Sequence, residues 1–370
     1  MNKKITYIIS DIDRSVFFEQ TALALKEKNI DVSFILINCE GGLLHQFLLK
    51  NNFLVKGLKS KKLIKSFPII LKCKKILNEL KPEIIHCHLG AANTIGLIAG
   101  FLSRVKTRIY TRHAGLPLYY SKKESLIDFL NNTIATAIIA TTINTKEILL
   151  QQGVQEKKIF LVHYGFDIKR MMEPSKEEVA RIKYLYNGRD QHPVIGIVAR
   201  WVDWKGIQYS IAAFKKLLQQ YPTAKLCLFN ASETAPYAKQ IDQLLHQLPA
   251  ENYITVPFEY NVYDMYQLFD IYVHTPVNST CEAFGQTYVE ALAAGIPGIF
   301  TLSGVAKEFI KNEENALTVN FENSEEIYQA IIRLLENVDL ANKLTTNGKK
   351  DVLQLFTMNI YIDKLLALYK

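Results

Sequence analysis

Apolar and helix-like stretches alternate along the chain from its first residues. Runs that are apolar almost throughout, such as ITYIIS (5–10) and DVSFILIN (31–38), are separated by segments with the 3.6-residue period of helices, such as 16–28 and 121–136. Strands that are apolar on both faces and separated by helices are typical of a parallel sheet covered on both sides. The first half of the chain is therefore predicted to be a doubly wound α/β domain.

The same alternation restarts in the second half of the chain. Apolar runs at 193–200 and 270–275 are again separated by helix-period segments, so a second parallel sheet is expected. A chain of 370 residues also exceeds what one ordinary core accommodates. We predict one domain over 1–170, a polar linker over 171–187 and a second domain over 188–354. Because ligands of open α/β sheets bind beyond the carboxyl ends of the strands, we expect the chemistry in a cleft between the two sheets.

Several features predict a cytoplasmic protein. The start, MNKKITYIIS, has the positive flank of a signal peptide, but Asp11, Asp13 and Arg14 interrupt the apolar run that follows. The most apolar later stretches, 94–102 and 133–143, are shorter than the roughly 20 residues that span a bilayer. The five cysteines are scattered and never spaced as CxxC, which indicates a reducing compartment and no metal cluster.

The positive charge of the chain is concentrated in its first half. Residues 1–170 carry 26 basic and 13 acidic side chains, whereas residues 171–370 carry 18 basic and 23 acidic ones. The excess peaks in 55–81, where nine lysines alternate with Leu, Ile and Phe. Such a segment can lie on an anionic membrane surface, where each lysine contributes about 1 kcal/mol. A solvated helix face is an equally good interpretation, and nucleic acid is not expected as a partner because no nucleic-acid-binding motif accompanies the charge.

Two glutamates stand in the otherwise apolar stretch CEAFGQTYVEALAAGIPG (281–298). The spacing predicts a buried helix over 283–294, with Glu282 in the loop ahead of it and Glu290 inside it. Buried carboxylates need hydrogen-bond donors, and the hydroxyl groups of a sugar are suitable donors. The alternative is structural: Glu282 is a partner of the helix dipole and Glu290 lies on the surface of an amphipathic helix.

The start of this helix is a predicted anion site. Its first backbone N–H groups have no acceptor within the helix, and the helix dipole favours a negative charge there. Gly285 permits close approach of a ligand to the backbone. The N–H groups concerned belong to Phe284, Gly285, Gln286 and Thr287.

Two cations lie on a predicted strand-to-helix loop in GIVARWVDWKG (196–206). Arg200 and Lys205 are suited to neutralising a diphosphate leaving group. Taken alone, an arginine and a lysine on a loop are ordinary surface residues.

In combination, these motifs resemble those of the family 4 retaining glycosyltransferases, which have the GT-B fold. The resemblance covers nearly the whole chain: Glu282 and Glu290 match the Glu-x7-Glu motif, and Arg200 and Lys205 match the Arg-x4-Lys pair. SGVAKEFIKNEENALTV (303–319) resembles a further family segment. The resemblance implies two Rossmann-like, doubly wound parallel-sheet domains facing each other across a cleft, with a C-terminal helix at 355–370 packed back on the first domain.

The resemblance also implies a role for each matching residue. Glu290 would bind the ribose hydroxyls of a nucleotide sugar, and Glu282 a hydroxyl of the donor sugar. Arg200 and Lys205 would hold the diphosphate, and His113 would face the donor sugar from the first domain. The N–H groups of 284–287 would hold phosphate and sugar oxygens.

The sequence departs from the family pattern in the loop after the first strand, SDIDRSVFFEQ (10–20), which lacks the usual glycine pair. Arg14 and Ser15 are the candidate donor-binding residues there. Asp11 and Asp13 could instead form the Asp-x-Asp metal site of the other main glycosyltransferase fold, but a capping or turn role is preferred because a second sheet follows.

Further departures concern single residues. Asn230 replaces a glycine in the turn after the strand KLCLFN, where Ser232 or Glu233 could fill space near the nucleotide, and Tyr164 replaces an asparagine. His86 and His88 share a strand face and are interpreted as strand-end histidines rather than metal ligands.

The resemblance implies a metal-independent enzyme, without a bound cofactor, that moves a sugar from a nucleotide diphosphate with retention of configuration. UDP-sugars are preferred as donors. The expected acceptor is a glycan or a lipid-linked molecule in the assembly of lipopolysaccharide, capsule or another surface polysaccharide, with the protein peripheral to the inner face of the membrane. Three alternatives stay open: a nucleotide-sugar epimerase of the same fold, a non-catalytic protein that binds nucleotide sugars, and a basic nucleic-acid-binding module, which would bind nucleic acid with a steep dependence on salt.

Overall fold

The computed structural model describes residues 3–59, 67–115, 121–187, 190–231 and 236–370. Ser232 and Glu233, as well as Lys61, Lys62 and Lys65 of the basic segment, lie outside these ranges. The chain divides into two compact units. Unit 1 comprises Met1–Phe166 and Thr357–Lys370, and unit 2 comprises Asp167–Phe356.

Unit 1 is built on a parallel sheet of seven strands in the order β3-β2-β1-β4-β5-β6-β7. Consecutive strands are joined through helices, as parallel pairing requires. The strands are β1 (Lys4–Ser10), β2 (Asp31–Ile37), β3 (Leu54–Leu58), β4 (Ile84–His88), β5 (Thr107–Arg112), β6 (Ala137–Ala140) and β7 (Ile159–Leu161).

Helices cover both faces of this sheet. One apolar core joins β1 and β2 to α1, α2 and α16, and the other joins the opposite face to α3 and α4. The helices of unit 1, numbered in chain order over the whole protein, are α1 (Val16–Glu27), α2 (Leu43–Lys50), α3 (Phe67–Leu80), α4 (Gly90–Leu102), α5 (Lys122–Ile134), α6 (Ile143–Gln151) and α16 (Met358–Leu368).

Unit 2 is built on a second parallel sheet, in the order β10-β9-β8-β11-β12-β13. Its strands are β8 (Val194–Val198), β9 (Lys225–Phe229), β10 (Tyr253–Val256), β11 (Ile271–His274), β12 (Gly298–Phe300) and β13 (Leu317–Thr318). Its helices are α7 (Ile168–Met172), α8 (Lys176–Asn187), α9 (Ile207–Leu217), α10 (Ala238–Leu245), α11 (Val262–Met265), α12 (Gln286–Ala294), α13 (Ala306–Phe309), α14 (Ser324–Glu336) and α15 (Val338–Leu355).

The prediction of two parallel, doubly wound sheets is confirmed. The segment 171–187, predicted as a linker, belongs to unit 2 and contains α8. This helix buries Ile182, and Arg181 pairs with the buried carboxylate of Glu259 at 3.1 Å. The sequence of α8 is mostly polar because it buries only a narrow stripe, which explains why it resembles a linker. Among the described residues, no helix is both long and apolar enough to cross a bilayer.

The last turn of the chain contributes to the core of unit 1. The Tyr369 hydroxyl lies 2.7 Å from the Tyr7 hydroxyl and 2.6 Å from Nδ1 of His86, whose Nε2 lies 2.8 Å from Oγ1 of Thr111. All four side chains are buried. Burial holds the pKa of His86 well below its usual range, with nearby His113 adding to the effect, so the imidazole is neutral and needs one donor and one acceptor. Tyr369 therefore ties α16 to β1 and β4.

Replacing Tyr369 by phenylalanine should destabilise unit 1 by about 1–3 kcal/mol, because it leaves buried polar atoms of Tyr7 and His86 without this partner. Native-state hydrogen exchange in β1 and β4 measures the effect. Tyr184→Phe is the matched control, since Tyr184 is 79% exposed. If the backbone amides of β1 and β4 were equally protected from exchange in the two variants, the Tyr369 hydroxyl would contribute nothing to stability.

Candidate active site

A buried ion pair forms the centre of the candidate site in unit 2. Lys205 lies in a single turn of 3-10 helix, Asp203–Lys205, between β8 and α9, and Glu282 lies in the loop between β11 and α12. Their side chains are 15% and 9% exposed, and Nζ of Lys205 donates a short hydrogen bond to Oε1 of Glu282. Both loops follow carboxyl ends of adjacent strands, and this places the two residues side by side.

Gly206 allows the two loops to approach. It has φ of +70°, and a Cβ atom there would lie 1.9 Å from the carbonyl oxygen of Thr275. Only glycine combines this left-handed conformation with such a close backbone contact. The next helix then begins at Ile207, and Ser210 Oγ lies 3.1 Å from Oγ1 of Thr275. Gly206 therefore fixes Lys205 beside the loop that carries Glu282.

His274, the last residue of β11, is a second partner of Glu282. Its Nε2 lies 3.0 Å from Oε1 of Glu282, and its ring packs edge-on against Tyr288 at a centroid distance of 4.8 Å. The backbone N–H of Glu282 donates to Oγ of Ser303 at 3.1 Å. These contacts fix both the backbone and the carboxylate of Glu282. Sequence reasoning missed His274, although a polar residue ending the apolar strand DIYVH was a usable signal.

The electrostatics of this cluster keep Glu282 ionised. Burial alone raises the pKa of the Glu282 carboxyl, but the Lys205 ammonium and the hydrogen bond from His274 more than offset burial and lower it to about 2. Burial lowers the pKa of His274, although Glu282 opposes this. His274 is therefore neutral at pH 7, and its Nε2–H donates to the carboxylate.

The second glutamate, Glu290, has the opposite electrostatic setting. It is half-buried on α12, and the Tyr266 hydroxyl donates to its Oε2 at 2.8 Å. Burial raises the pKa of Glu290 from 4.5 to about 7, although the hydrogen bond from Tyr266 opposes the increase. Tyr266 is another partner that the sequence did not reveal. The surface position of Glu290 that the structural alternative required is not observed.

The helix after Glu282 begins later than predicted. We expected it to start at residue 283, but α12 begins at Gln286, because Gly285 has φ of +86° and the Phe284 carbonyl accepts from the Val305 N–H at 2.9 Å. The Phe284 side chain is buried against Phe356. Gln286 and Thr287 therefore form the first turn, where backbone N–H groups lack helical acceptors. The N–H groups that the prediction assigns to an anion therefore belong to the turn around Gly285 and the first turn of α12.

The remaining predicted residues of unit 2 lie on neighbouring loops. Arg200 is exposed just beyond the end of β8. Asn230, which stands in place of a family glycine after β9, has φ of +62°, a conformation that asparagine tolerates better than most residues. Trp201 is only 1% exposed and belongs to the apolar core of unit 2.

His113 lies in unit 1, after the end of β5. Nδ1 of His88 lies 2.9 Å from its Nε2, and its Nδ1 forms a short hydrogen bond with the hydroxyl of Tyr164. Burial lowers the pKa of His113 to about 3, so the ring is neutral. Because both ring nitrogens are already engaged, a sugar hydroxyl would have to replace one of these partners. Tyr164, which stands where the family has asparagine, thus holds His113 directly.

The loop after β1 is organised by capping interactions. Ser15 is the N-cap of α1 and accepts from the Phe18 N–H at 3.4 Å, while Arg14 lies 3.8 Å from the carboxylate of Glu19. Asp13 accepts from the Leu43 N–H at 3.2 Å, at the start of α2.

The other aspartate of this loop also has a local partner. Asp11 accepts from the Asn38 side chain at 2.9 Å, so both aspartates of the Asp-x-Asp pair have hydrogen-bond donors within unit 1. Within the ranges that the structure describes, no three His, Cys, Asp or Glu side chains are grouped so that they could hold a metal ion.

Lys205→Met should lower the free energy of unfolding of unit 2 by about 3 kcal/mol, because it leaves the buried Glu282 carboxylate without its cation. The double variant Lys205→Met/Glu282→Gln should recover most of the loss, since no buried charge remains. Urea unfolding followed by tryptophan fluorescence measures this in unit 2, which contains both tryptophans, Trp201 and Trp204. A double variant no more stable than the single one would contradict the buried pair.

Glu290→Gln should change how the stability of unit 2 depends on pH. The folded protein binds a proton at Glu290 more tightly than the unfolded chain does, so this residue makes stability fall as pH rises from about 4.5 to about 7. The variant lacks this fall. Its free energy of unfolding, relative to that of the wild type, therefore increases by on the order of 3 kcal/mol between pH 4 and pH 8. The same fluorescence assay measures it, with exposed Glu336→Gln as control. If the stability of the wild type and of Glu290→Gln depended on pH in the same way, the raised pKa of Glu290 would be refuted.

Comparison with known proteins agrees with this arrangement. The family of group 1 glycosyl transferases matches residues 185–351, and Glycosyltransferase Family 4 matches residues 15–170. The capsular polysaccharide biosynthesis glycosyltransferase CapM of Staphylococcus aureus is 26% identical, over 100% of this chain and 97% of its own length. The alpha-monoglucosyldiacylglycerol synthase of Acholeplasma laidlawii is 25% identical, over 78% of this chain and 76% of its own.

Among solved structures, HepE of Anabaena in complex with UDP and glucose superposes with a TM-score of 0.85, at 20% identity, and covers 100% of both chains. The same protein has also been solved with UDP-glucose. Both units therefore have the fold of these neighbours. Because the two family matches together span the two units in chain order, the chain belongs to the group 1, family 4 glycosyltransferases and has the GT-B fold.

Proposed function

We propose that this glycosyltransferase transfers a sugar from a UDP-sugar, with retention, to a glycan or lipid-linked acceptor during assembly of a surface polysaccharide or lipopolysaccharide. The observation that carries the proposal is the buried cluster of Lys205, Glu282 and His274, which presents an ionised carboxylate and an ammonium group on adjoining loops. A sugar diphosphate has hydroxyl donors for the first group and anionic oxygens for the second.

The Lys205 ammonium can serve both Glu282 and the donor. It has three N–H bonds, and the hydrogen bond to Glu282 uses only one of them. The others can donate to the diphosphate, where negative charge grows as the bond from the anomeric carbon to the phosphate oxygen breaks. Arg200, exposed on the same loop, would add a second cation. In this scheme the two side chains supply the positive charge, and no metal is required.

Glu282 would orient the donor sugar. Lys205 and His274 both bind its Oε1, which fixes the carboxylate plane and leaves lone pairs for a sugar hydroxyl. In the front-face reaction that the family resemblance implies, the new bond forms between the anomeric carbon and the acceptor oxygen. The acceptor proton passes to the departing phosphate oxygen, so the protein need not supply a separate base.

Glu290 would recognise the nucleotide through its ribose hydroxyls. Because its pKa is raised to about 7, the carboxyl is partly protonated near neutral pH, and ribose hydroxyls that donate to the carboxylate would favour its ionised form. The Tyr266 hydroxyl donates to one oxygen and leaves the carboxylate further acceptor positions. The preference for UDP is supported by the UDP and UDP-glucose complexes of the Anabaena neighbour.

The names of two relatives support the acceptor class. One is named for capsular polysaccharide biosynthesis and the other for the synthesis of alpha-monoglucosyldiacylglycerol. The exposed lysines of α3, Lys72 and Lys75, would favour an anionic membrane surface. We accordingly propose that the protein works on the cytoplasmic face of the membrane as a peripheral protein, and that nucleic acid is not a partner.

Thermal unfolding with UDP, GDP and CMP tests the donor class. UDP should raise the melting temperature of wild type by several degrees, because a ligand that binds only the folded state adds about 2.7 kcal/mol at a concentration 100 times its Kd. The shift should be lost in Glu290→Ala and kept in Glu336→Ala. An absence of any shift with all three nucleotides would overturn the proposal, and a shift with GDP alone would overturn the choice of UDP.

Release of UDP from UDP-glucose separates the alternatives. A glycosyltransferase releases UDP, and does so faster once a suitable acceptor is present, whereas an epimerase changes the sugar and leaves it attached to the nucleotide. A non-catalytic protein shows the thermal shift but never releases UDP.

A further inference from the structure

Unit 1 contains a cavity that the donor chemistry of unit 2 does not explain. It has a volume of about 660 Å³, within the range of roughly 300–1,000 Å³ that is usual for small-molecule sites. It lies among α3, α4, α5 and the loop that follows β5. Most of its wall is apolar, and the main contributors are Phe67, Ile70, Leu89, Ile95, Ile98 and Ile127.

Two buried amide side chains line the cavity. Asn93 is 9% exposed and Asn131 is 4% exposed, and the Oδ1 atom of each is without a hydrogen-bond partner in the part of the chain that the structure describes. Buried polar atoms are nearly always paired, so an unpaired acceptor on each of two residues that line one cavity indicates a missing donor. The hydroxyl groups of a ligand would supply it.

The charged groups of the cavity make an anionic ligand a poor fit. Arg112 lines the cavity, but its guanidinium is paired with Asp128 and also donates to the Ala114 carbonyl at 3.1 Å. Burial keeps His113 neutral, since its pKa is lowered to about 3. Glu124 adds a negative charge. The chemistry therefore favours an uncharged, hydroxylated group attached to an apolar body.

Apolar side chains at and next to the cavity are exposed. Phe67 lines the cavity and is nevertheless 68% exposed, and Leu71, one turn further along α3, is 44% exposed. The exposed Lys72 and Lys75 follow on the same helix. Large exposed apolar side chains beside an apolar cavity mark a binding surface, and the lysines suit a ligand that resides in an anionic lipid layer.

We propose that this cavity binds the aliphatic part of the acceptor, so that the acceptor is a lipid-linked alcohol rather than a soluble glycan. This inference rests on the proposed function and narrows its acceptor. The hydrocarbon chain packs against the isoleucines, and hydroxyl groups of the head donate to Asn93 and Asn131. His113, the unit 1 residue that the family resemblance implies would face the donor sugar, also lines the cavity.

Binding of n-alkyl glucosides tests the proposal directly. Equilibrium dialysis of radiolabelled methyl, hexyl, octyl and decyl glucosides, below their micelle concentrations, should show Kd falling about tenfold for each two methylene groups until the cavity is full. Methyl glucoside should bind weakest. A Kd that does not depend on chain length would overturn the proposal.

Substitutions at two adjacent residues of α5 distinguish binding in the cavity from binding to the surface around it. Ile127→Trp fills the cavity and should weaken decyl glucoside binding at least about tenfold, the loss expected when two buried methylene groups are displaced. Leu126→Trp adds the same side chain at a position that is 69% exposed and outside the lining, and should leave binding unchanged. Equal effects of the two variants would mean non-specific surface binding and would overturn the proposal. If Ile127→Trp unfolds at a lower temperature than Leu126→Trp, Ile98→Trp on α4 takes its place.

The thermal shift with UDP, measured on the same wild-type protein, distinguishes the two proposals. A UDP shift without chain-length-dependent glucoside binding would overturn the lipid-acceptor inference and leave the glycosyltransferase function intact. Chain-length-dependent binding without a UDP shift would overturn the proposed function, and with it the acceptor role of the cavity.

Discussion

The ionised carboxylate of Glu282 is the group on which the arrangement of the candidate site depends. A carboxylate that is 9% exposed is stable only with a cation and further donors around it. Lys205 reaches it because Gly206 permits a loop-to-loop contact that any side chain would block, and His274 reaches it because β11 ends at that point. The ends of two adjacent strands of one parallel sheet, β8 and β11, thus converge on a single carboxylate.

In unit 1, three histidines form a polar cluster without charge. His86 and His88 lie on β4 and His113 follows β5, and burial lowers the pKa of each. Neutral imidazoles can accept and donate in turn, so they form hydrogen-bonded chains with Thr111 and two tyrosines instead of ion pairs. One of these tyrosines comes from the last turn of the protein, which makes α16 part of the polar core of unit 1 as well as of its apolar core.

The sequence predicted the features that depend on local pattern. Two parallel sheets followed from apolar runs, and the position of Glu282 ahead of its helix followed from the small and apolar spacing that begins at Ala283. Contacts between distant loops left no comparable signal. The hydrogen bond of His274 to Glu282 depends on how a loop folds back, and that of Tyr369 to His86 joins residues 283 positions apart. The start of α12 was predicted too early because residues 283–285 are small or apolar, and only the positive φ of Gly285 excludes them from the helix.

The two glutamates that share one motif have opposite protonation behaviour, and this difference follows from their partners. Glu282 has a cation beside it and stays ionised across the physiological range. Among the described residues, the side-chain partner of Glu290 is instead the neutral phenol of Tyr266, which offsets only part of the effect of burial on the pKa of Glu290. An ionised group that is already neutralised can orient a sugar without attracting cations from solution. A carboxyl with a pKa near 7 instead gains its full charge when a ligand supplies donors, so binding energy at Glu290 depends on the ligand bringing those donors with it. Under the proposed function, a ribose with two free hydroxyls would supply these donors.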